Sequence, residues 1–151
     1  MDGPVALIDL KGLQKFRGSQ KTNFRPSFAP MEVLLVEDSP EVSLITVEYL
    51  TELGHQVVAV ADAELAVEQV ALKTFDAVMT DVSLPGMSGI DLAKVLIKRY
   101  PKMPVVIASG YGTLNLDGLG HPTVNVLVLP KPYDMDMLEK TLQKAAAFAA
   151  A

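Results

Sequence analysis

Five short apolar runs, each four to six residues long and the first four separated by segments of helical period, constrain this chain more than any other feature. They are Val33–Val36, Gln56–Val60, Phe75–Thr80, Val105–Ala108 and Val124–Leu129. Val33-Leu34-Leu35-Val36 is apolar throughout rather than alternating, the pattern of a strand covered on both faces. Ser39 can cap the segment that follows, with Pro40 at the first helical position. Val42, Ile45, Tyr49 and Leu53 then recur at helical spacing, and Gly54 supplies the stop. Asp62 caps a second helix running to about Lys73, with Ala63, Val67 and Val70 on one face. A third spans Gly89 to Arg99. Asp134 opens a last helix whose Met135, Leu138, Leu142 and Ala145 face inward, prolonged by the alanine-rich end. Residues 111–122 contain Gly112, Gly118, Gly120 and Pro122 and little helical period. A loop with at most a short helical turn is expected there. Parallel neighbours need a crossover between them. The expected fold is α/β: a doubly wound, five-stranded parallel sheet of order 2-1-3-4-5, with a poorly formed fourth crossover helix.

The length of 151 residues suits one domain plus a tail, and an apolar half suffices for a core. Phe24–Pro30 reads as a proline-broken linker. Residues 1–30 are therefore expected to form an N-terminal extension and linker, and residues 31–151 the domain. Within the extension, Val5, Ile8, Leu13 and Phe16 have only a weak helical pattern, and a mobile tail is the simpler expectation. The absence of cysteine excludes disulfides and thiol chemistry. His55 and His121 stand too far apart for a metal-ligand pattern. Five of the 13 basic side chains but two of the 18 acidic ones lie in residues 1–30, leaving eight against sixteen in the body. An acidic body argues against nucleic-acid binding. The apolar runs are too short to span a bilayer. Without a charged leader ahead of an apolar stretch, the expected location is cytoplasmic.

The polar residues that follow the runs carry the chemistry. Glu37-Asp38, Asp81, Ser109 and Lys131 each stand at or just beyond the end of a strand, and in a parallel sheet all such ends open on one edge. Three crowded carboxylates repel, which is relieved by a raised pKa or a divalent cation. Mg²⁺ suits hard oxygen ligands. Taken alone, Glu37-Asp38 would read as the acidic start of a helix, Asp81 as a turn residue and Lys131 as a solvated charge. Their joint placement favours a site in which Asp81 attacks phosphorus, Lys131 pairs with a phosphoryl oxygen and Ser109 donates a hydrogen bond to another.

Asp81-Val82-Ser83-Leu84-Pro85-Gly86-Met87-Ser88-Gly89 resembles the phosphoacceptor loop of two-component response-regulator receiver domains. Val36-Glu37-Asp38, Ser109-Gly110 and Lys131-Pro132 resemble that family's other signatures, in the same order, so that the likeness covers residues 31–145. The resemblance implies a flavodoxin-like fold and Mg²⁺ held by Glu37, Asp38, Asp81 and the backbone carbonyl of Ser83. It also implies a cis Lys131-Pro132 bond, and phosphotransfer from a histidine kinase or histidine phosphotransfer protein. Val128 stands where typical receivers carry an aromatic switch residue. Pro104-Val105-Val106-Ile107-Ala108-Ser109-Gly110-Tyr111 instead resembles a subgroup with a P-F-x-F-A-T-G-Y signature. Tyr111 and the loop it opens are thus expected to carry the switch.

The function expected is a phosphorylatable switch rather than an enzyme proper, one that governs its own phosphorylation and dephosphorylation. It would act through contact with an unidentified downstream protein, since the chain is expected to leave no room for an output domain. An alternative is a phosphate sink or relay module from a hybrid histidine kinase. A phosphatase is disfavoured because Ser83, not a second acid, stands two residues after Asp81. A flavin site is disfavoured because Glu37 and Asp38 would repel a flavin phosphate.

Overall fold

The computed structural model describes residues 29–110 and 125–150. Five strands, β1 (Glu32–Val36), β2 (Gln56–Val60), β3 (Ala77–Asp81), β4 (Val105–Ser109) and β5 (Val126–Pro130), form one sheet of order β2-β1-β3-β4-β5. Every neighbouring pair is parallel. Among the described residues four helices accompany them: α1 (Pro40–Glu52), α2 (Ala63–Leu72), α3 (Gly89–Arg99) and α4 (Met135–Ala150). This is the expected doubly wound fold. The expected weak crossover between β4 and β5, residues 1–28 of the expected 1–30 extension, and Tyr111 lie outside the described residues.

The apolar runs work because alternate residues serve opposite faces. Leu34, Val36, Val78, Val105 and Ile107 point to one side, where α2 and α3 cover them with Ala63, Ala66, Leu92, Ala93 and Leu96. Val33, Leu35, Met79, Val106 and Leu129 point to the other, against Leu50 and Leu53 and against Leu138 and Leu142 of α4. Each such burial contributes about 1.5–3 kcal/mol relative to exposure. The central strands β1, β3 and β4 are almost entirely sealed. Such two-sided covering leaves polar residues only the strand ends.

The helix starts follow the expected caps. Ser39 Oγ accepts from the Val42 amide and Asp62 from Leu65, while Asp134 Oδ1 accepts from Met137. Gly54 takes a φ of 99° just past α1, a conformation suited to glycine. One helical face differs from the sequence pattern. In α1 the inward residues are Thr46 and Leu50, while Val42 and Ile45 are 38% and 50% exposed. Docking against the sheet sets the rotation of the helix, and in that rotation Thr46 is buried. Its hydroxyl is accommodated by donating to the Val42 carbonyl at 2.9 Å.

Two further positions matter at opposite ends of the sheet. At the carboxyl edge, the first residue of α3 backs onto the end of β3. Gly89 donates its amide to the Val82 carbonyl at 3.0 Å, and a Cβ there would collide with the Asp81 carbonyl oxygen. At the opposite edge, His55 is buried, and its Nδ1 accepts from the Met31 amide at 2.9 Å. Burial lowers its pKa below 6.5, against the opposing charge of Asp76. The imidazole is therefore neutral, with its proton on Nε2.

Gly89→Ala is expected to lose about 1–3 kcal/mol of stability, because backbone rather than a flexible side chain must move; urea unfolding checks this. His55 gives a pH dependence of definite sign. Its folded pKa lies below its unfolded value of 6.5, so its contribution is complete above about pH 6.5. It is lost progressively as the pH falls from there toward the folded value, since the unfolded chain binds the proton more readily. Unfolding free energies between pH 5 and 7.5 should show this slope in wild type and a flatter one in His55→Gln.

Candidate functional site

Strand register brings the polar strand ends together. Val36 pairs with Thr80, Asp81 with Ala108, and Ser109 with Pro130. Glu37 follows Val36 and Lys131 follows Pro130, so both fall on the edge where Asp81 and Ser109 end their strands. This edge lies where the strand order reverses between β1 and β3, the place at which open α/β sheets form a crevice. Backbone bonds hold the rim: Glu37 donates to the Val60 carbonyl at 3.0 Å, Val82 to Ala108 at 3.1 Å and Lys131 to Ser109 at 2.8 Å.

Carboxylate oxygens of Glu37, Asp38 and Asp81 all lie within 4.8 Å of one another. Glu37 is buried, Asp81 is half-buried and Asp38 is exposed. Lys131 reaches across from the β5 end, and its Nζ donates to Asp81 Oδ1 at 2.8 Å. Ser109 is buried at the end of β4. Ser83 stands exposed in the β3–α3 loop, two residues past Asp81. The Lys131-Pro132 bond is cis. The structure thus gathers Glu37, Asp38, Asp81, Ser109 and Lys131 on one edge, with Ser83 in the loop that leaves it.

The electrostatics are unbalanced. Burial pushes the pKa of Glu37 up and the charge of Asp81 adds to this. The Ser39 amide, 3.1 Å from Glu37 Oε2, and the Lys131 charge pull the other way without prevailing. Burial also acts to lower Lys131, but its hydrogen bond to Asp81 and the charges of Asp81 and Glu37 outweigh it, so its pKa is raised and the ammonium is secure. Two unit charges 4.8 Å apart repel by about 3–4 kcal/mol at an effective dielectric near 20. One lysine against three carboxylates leaves excess negative charge. A small divalent cation with a preference for oxygen ligands matches that donor set.

Sequence reasoning passed over three contributors. Thr80 is fully buried and donates its hydroxyl to the Asp81 carbonyl at 2.9 Å. Gly89 was visible as the last residue of the loop motif, but its need for close approach appears only when α3 is set against β3. Tyr133 reaches Thr46, 87 positions away in the chain, a separation that no local pattern reveals.

Residues 33–143 match the response regulator receiver domain family. The response regulator FleR of Pseudomonas aeruginosa is 35% identical over 101 residues, which are 66% of this chain and 21% of FleR. The transcriptional regulatory protein TcrA of Mycobacterium tuberculosis is 34% identical over 110 residues, 72% of this chain and 43% of TcrA. The sensor protein TorS of Escherichia coli is 32% identical over 116 residues, 74% of this chain and 12% of TorS. The chain thus spans less than half the length of each of these relatives. Among solved structures, the chemotaxis response regulator CheY4 of Vibrio cholerae superimposes with a TM-score of 0.68 at 25% identity, over 78% of this chain and 99% of CheY4. The receiver domain of the sensor histidine kinase PA1611 from Pseudomonas aeruginosa has a TM-score of 0.69 at 26% identity, over 79% and 99%, and carries a magnesium ion in its active-site cleft. With that family match over most of its length and the 2-1-3-4-5 sheet beneath it, the chain belongs to the response regulator receiver domains of two-component signal transduction.

Proposed function

We propose that this chain is a phosphorylatable switch in which Asp81 accepts a phosphoryl group in a Mg²⁺-dependent reaction. The observation that carries the reading is Lys131 Nζ at 2.8 Å from Asp81 Oδ1, beside the clustered carboxylates of Glu37 and Asp38. Glu37, Asp38, Asp81 and the Ser83 carbonyl would hold Mg²⁺, which when bound supplies positive charge against the phosphoryl oxygens. Asp81 supplies the nucleophilic oxygen. The new O–P bond forms as the P–N bond of a donor phosphohistidine breaks, and the electron pair leaves with the imidazole nitrogen. Lys131 moves from the carboxylate to a phosphoryl oxygen, and Ser109 donates its hydroxyl to another. The donor would be a histidine kinase or histidine phosphotransfer protein. Output would come from contact with a downstream protein, in the cytoplasm, by residues 31–151 carrying an extension of residues 1–30.

Receiver domains are phosphoacceptors rather than conventional enzymes, and this chain's control of its own phosphate lifetime is part of the proposal. Tyr111 and the loop it opens are proposed to carry the switch, because Val128 stands where typical receivers carry an aromatic residue and Pro104–Tyr111 resembles the P-F-x-F-A-T-G-Y subgroup. A second reading, a phosphate sink or relay module of a hybrid kinase, draws on the likeness to TorS and to the PA1611 receiver. Rapid return of phosphate to a histidine kinase, with no downstream binder, would favour it. No helix among the described residues is long and apolar enough to cross a membrane.

Intact mass after incubation with a small phosphodonor and Mg²⁺ tests the proposal. A single phosphate adduct is expected with Mg²⁺ and not with a chelator, and it should be absent from Asp81→Ala. In Lys131→Met it should form about 10²-fold more slowly, the usual loss of one charge-stabilising donor. An Mg²⁺-dependent adduct that persists in Asp81→Ala, or no adduct from any donor, would refute the assignment.

A further inference from the structure

The loop bearing Lys131 is pinned at both ends. Its start is held by the Lys131 amide on the Ser109 carbonyl at 2.8 Å, and its end by Asp134, which caps α4 through the Met137 amide at 2.9 Å. Between them stands Tyr133. Its hydroxyl lies 3.3 Å from Thr46 Oγ1, and its ring meets Tyr49 edge-on at a centroid distance of 6.5 Å. The direction of the hydroxyl contact follows from counting protons. Thr46 has one, and it goes to the Val42 carbonyl at 2.9 Å. Tyr133 must therefore be the donor and Thr46 the acceptor.

This bond joins two parts of the site that share no neighbouring sequence. Thr46 lies on α1, the helix that begins immediately after Glu37-Asp38 and is capped by Ser39. Tyr133 lies two residues after Lys131. Its ring packs, partly buried, against the apolar cluster that includes Leu50 and Leu138, and its hydroxyl is the polar contact to α1.

We propose that the Tyr133–Thr46 hydrogen bond is a latch that fixes the Lys131 loop to α1 and thereby positions the ammonium over Asp81. Tyr133 is then a positioning residue acting through Lys131. That consequence for phosphotransfer rests on Asp81 being the phosphoacceptor, whereas the latch itself does not.

The test uses Tyr133→Phe, which keeps the ring and its packing, and Thr46→Ser, which keeps the accepting hydroxyl. Amide hydrogen exchange is read at Lys131, whose N–H is held by Ser109. Loss of one hydrogen bond should speed that exchange about two- to tenfold in Tyr133→Phe. The amides of β1 and β3 should stay unchanged, and Thr46→Ser should behave as wild type. In the same variant the rate of adduct formation with a small phosphodonor and Mg²⁺ should fall by a similar factor. Unchanged exchange at Lys131 overturns the latch. Faster exchange with an unchanged adduct rate overturns its positioning role. A uniform acceleration across β1 and β3 overturns both, since it marks general loss of stability. If wild type forms no adduct, the phosphoacceptor reading fails by itself and the exchange data alone decide the latch.

Discussion

Everything at the carboxyl edge of this sheet depends on the contact between Lys131 and Asp81. A 2.8 Å ion pair between residues 50 positions apart, with the aspartate largely shielded, is not maintained by surface attraction alone. It persists because β3, β4 and β5 are locked in register, which carries Asp81, Ser109 and the Lys131 loop to one level. The pair is also incomplete. Lys131 offsets one charge of three, and Glu37, buried beside Asp81, has its pKa raised by burial and by that neighbour. The site is poised to take in positive charge, and a transferred phosphoryl group would give Lys131 a new partner without moving it far.

Maintaining such a charge imbalance requires a rigid surround. The apolar layers on both sheet faces supply it, because sliding any strand by one residue would exchange its core-facing and opposite sets. Closer in, Gly89 lets α3 touch the backbone of Asp81, and Thr80 holds that residue's carbonyl from within. Tyr133 ties α1 to the loop after β5. These devices act on the backbone and on direction rather than on charge, so they leave the charge balance of the edge to the acidic cluster and Lys131.

The elements were legible because their signals are local. Val33–Val36 and Val105–Ala108 are strands with both faces covered, and Ser39-Pro40, Asp62 and Asp134 announce helix starts by side chains that satisfy free amides. The site was legible for a related reason, since a parallel sheet converts a position at the end of a run into a place in space. The helical repeat of α1 misled only at its start, where Val42 and Ile45 continue the spacing of Tyr49 and Leu53 but stay exposed while Tyr49 and Leu53 pack on the core. Only docking against the sheet selects Thr46 and Leu50.

By itself, then, the amino-acid order determined which segments become strands and helices, where each helix begins, and which residues end at the carboxyl edge, while β3 and β5 start two residues later than their apolar runs. Hydrophobic period, capping chemistry and chain direction are properties of neighbours a few positions apart. Tertiary structure alone decided the rotation of α1, the close approach of Gly89 to Asp81, the neutral buried state of His55 and the reach of Tyr133 to Thr46. Those depend on pairs 24 to 87 residues apart, or on the fit of one surface to another, and such distances come into being only when the layers pack.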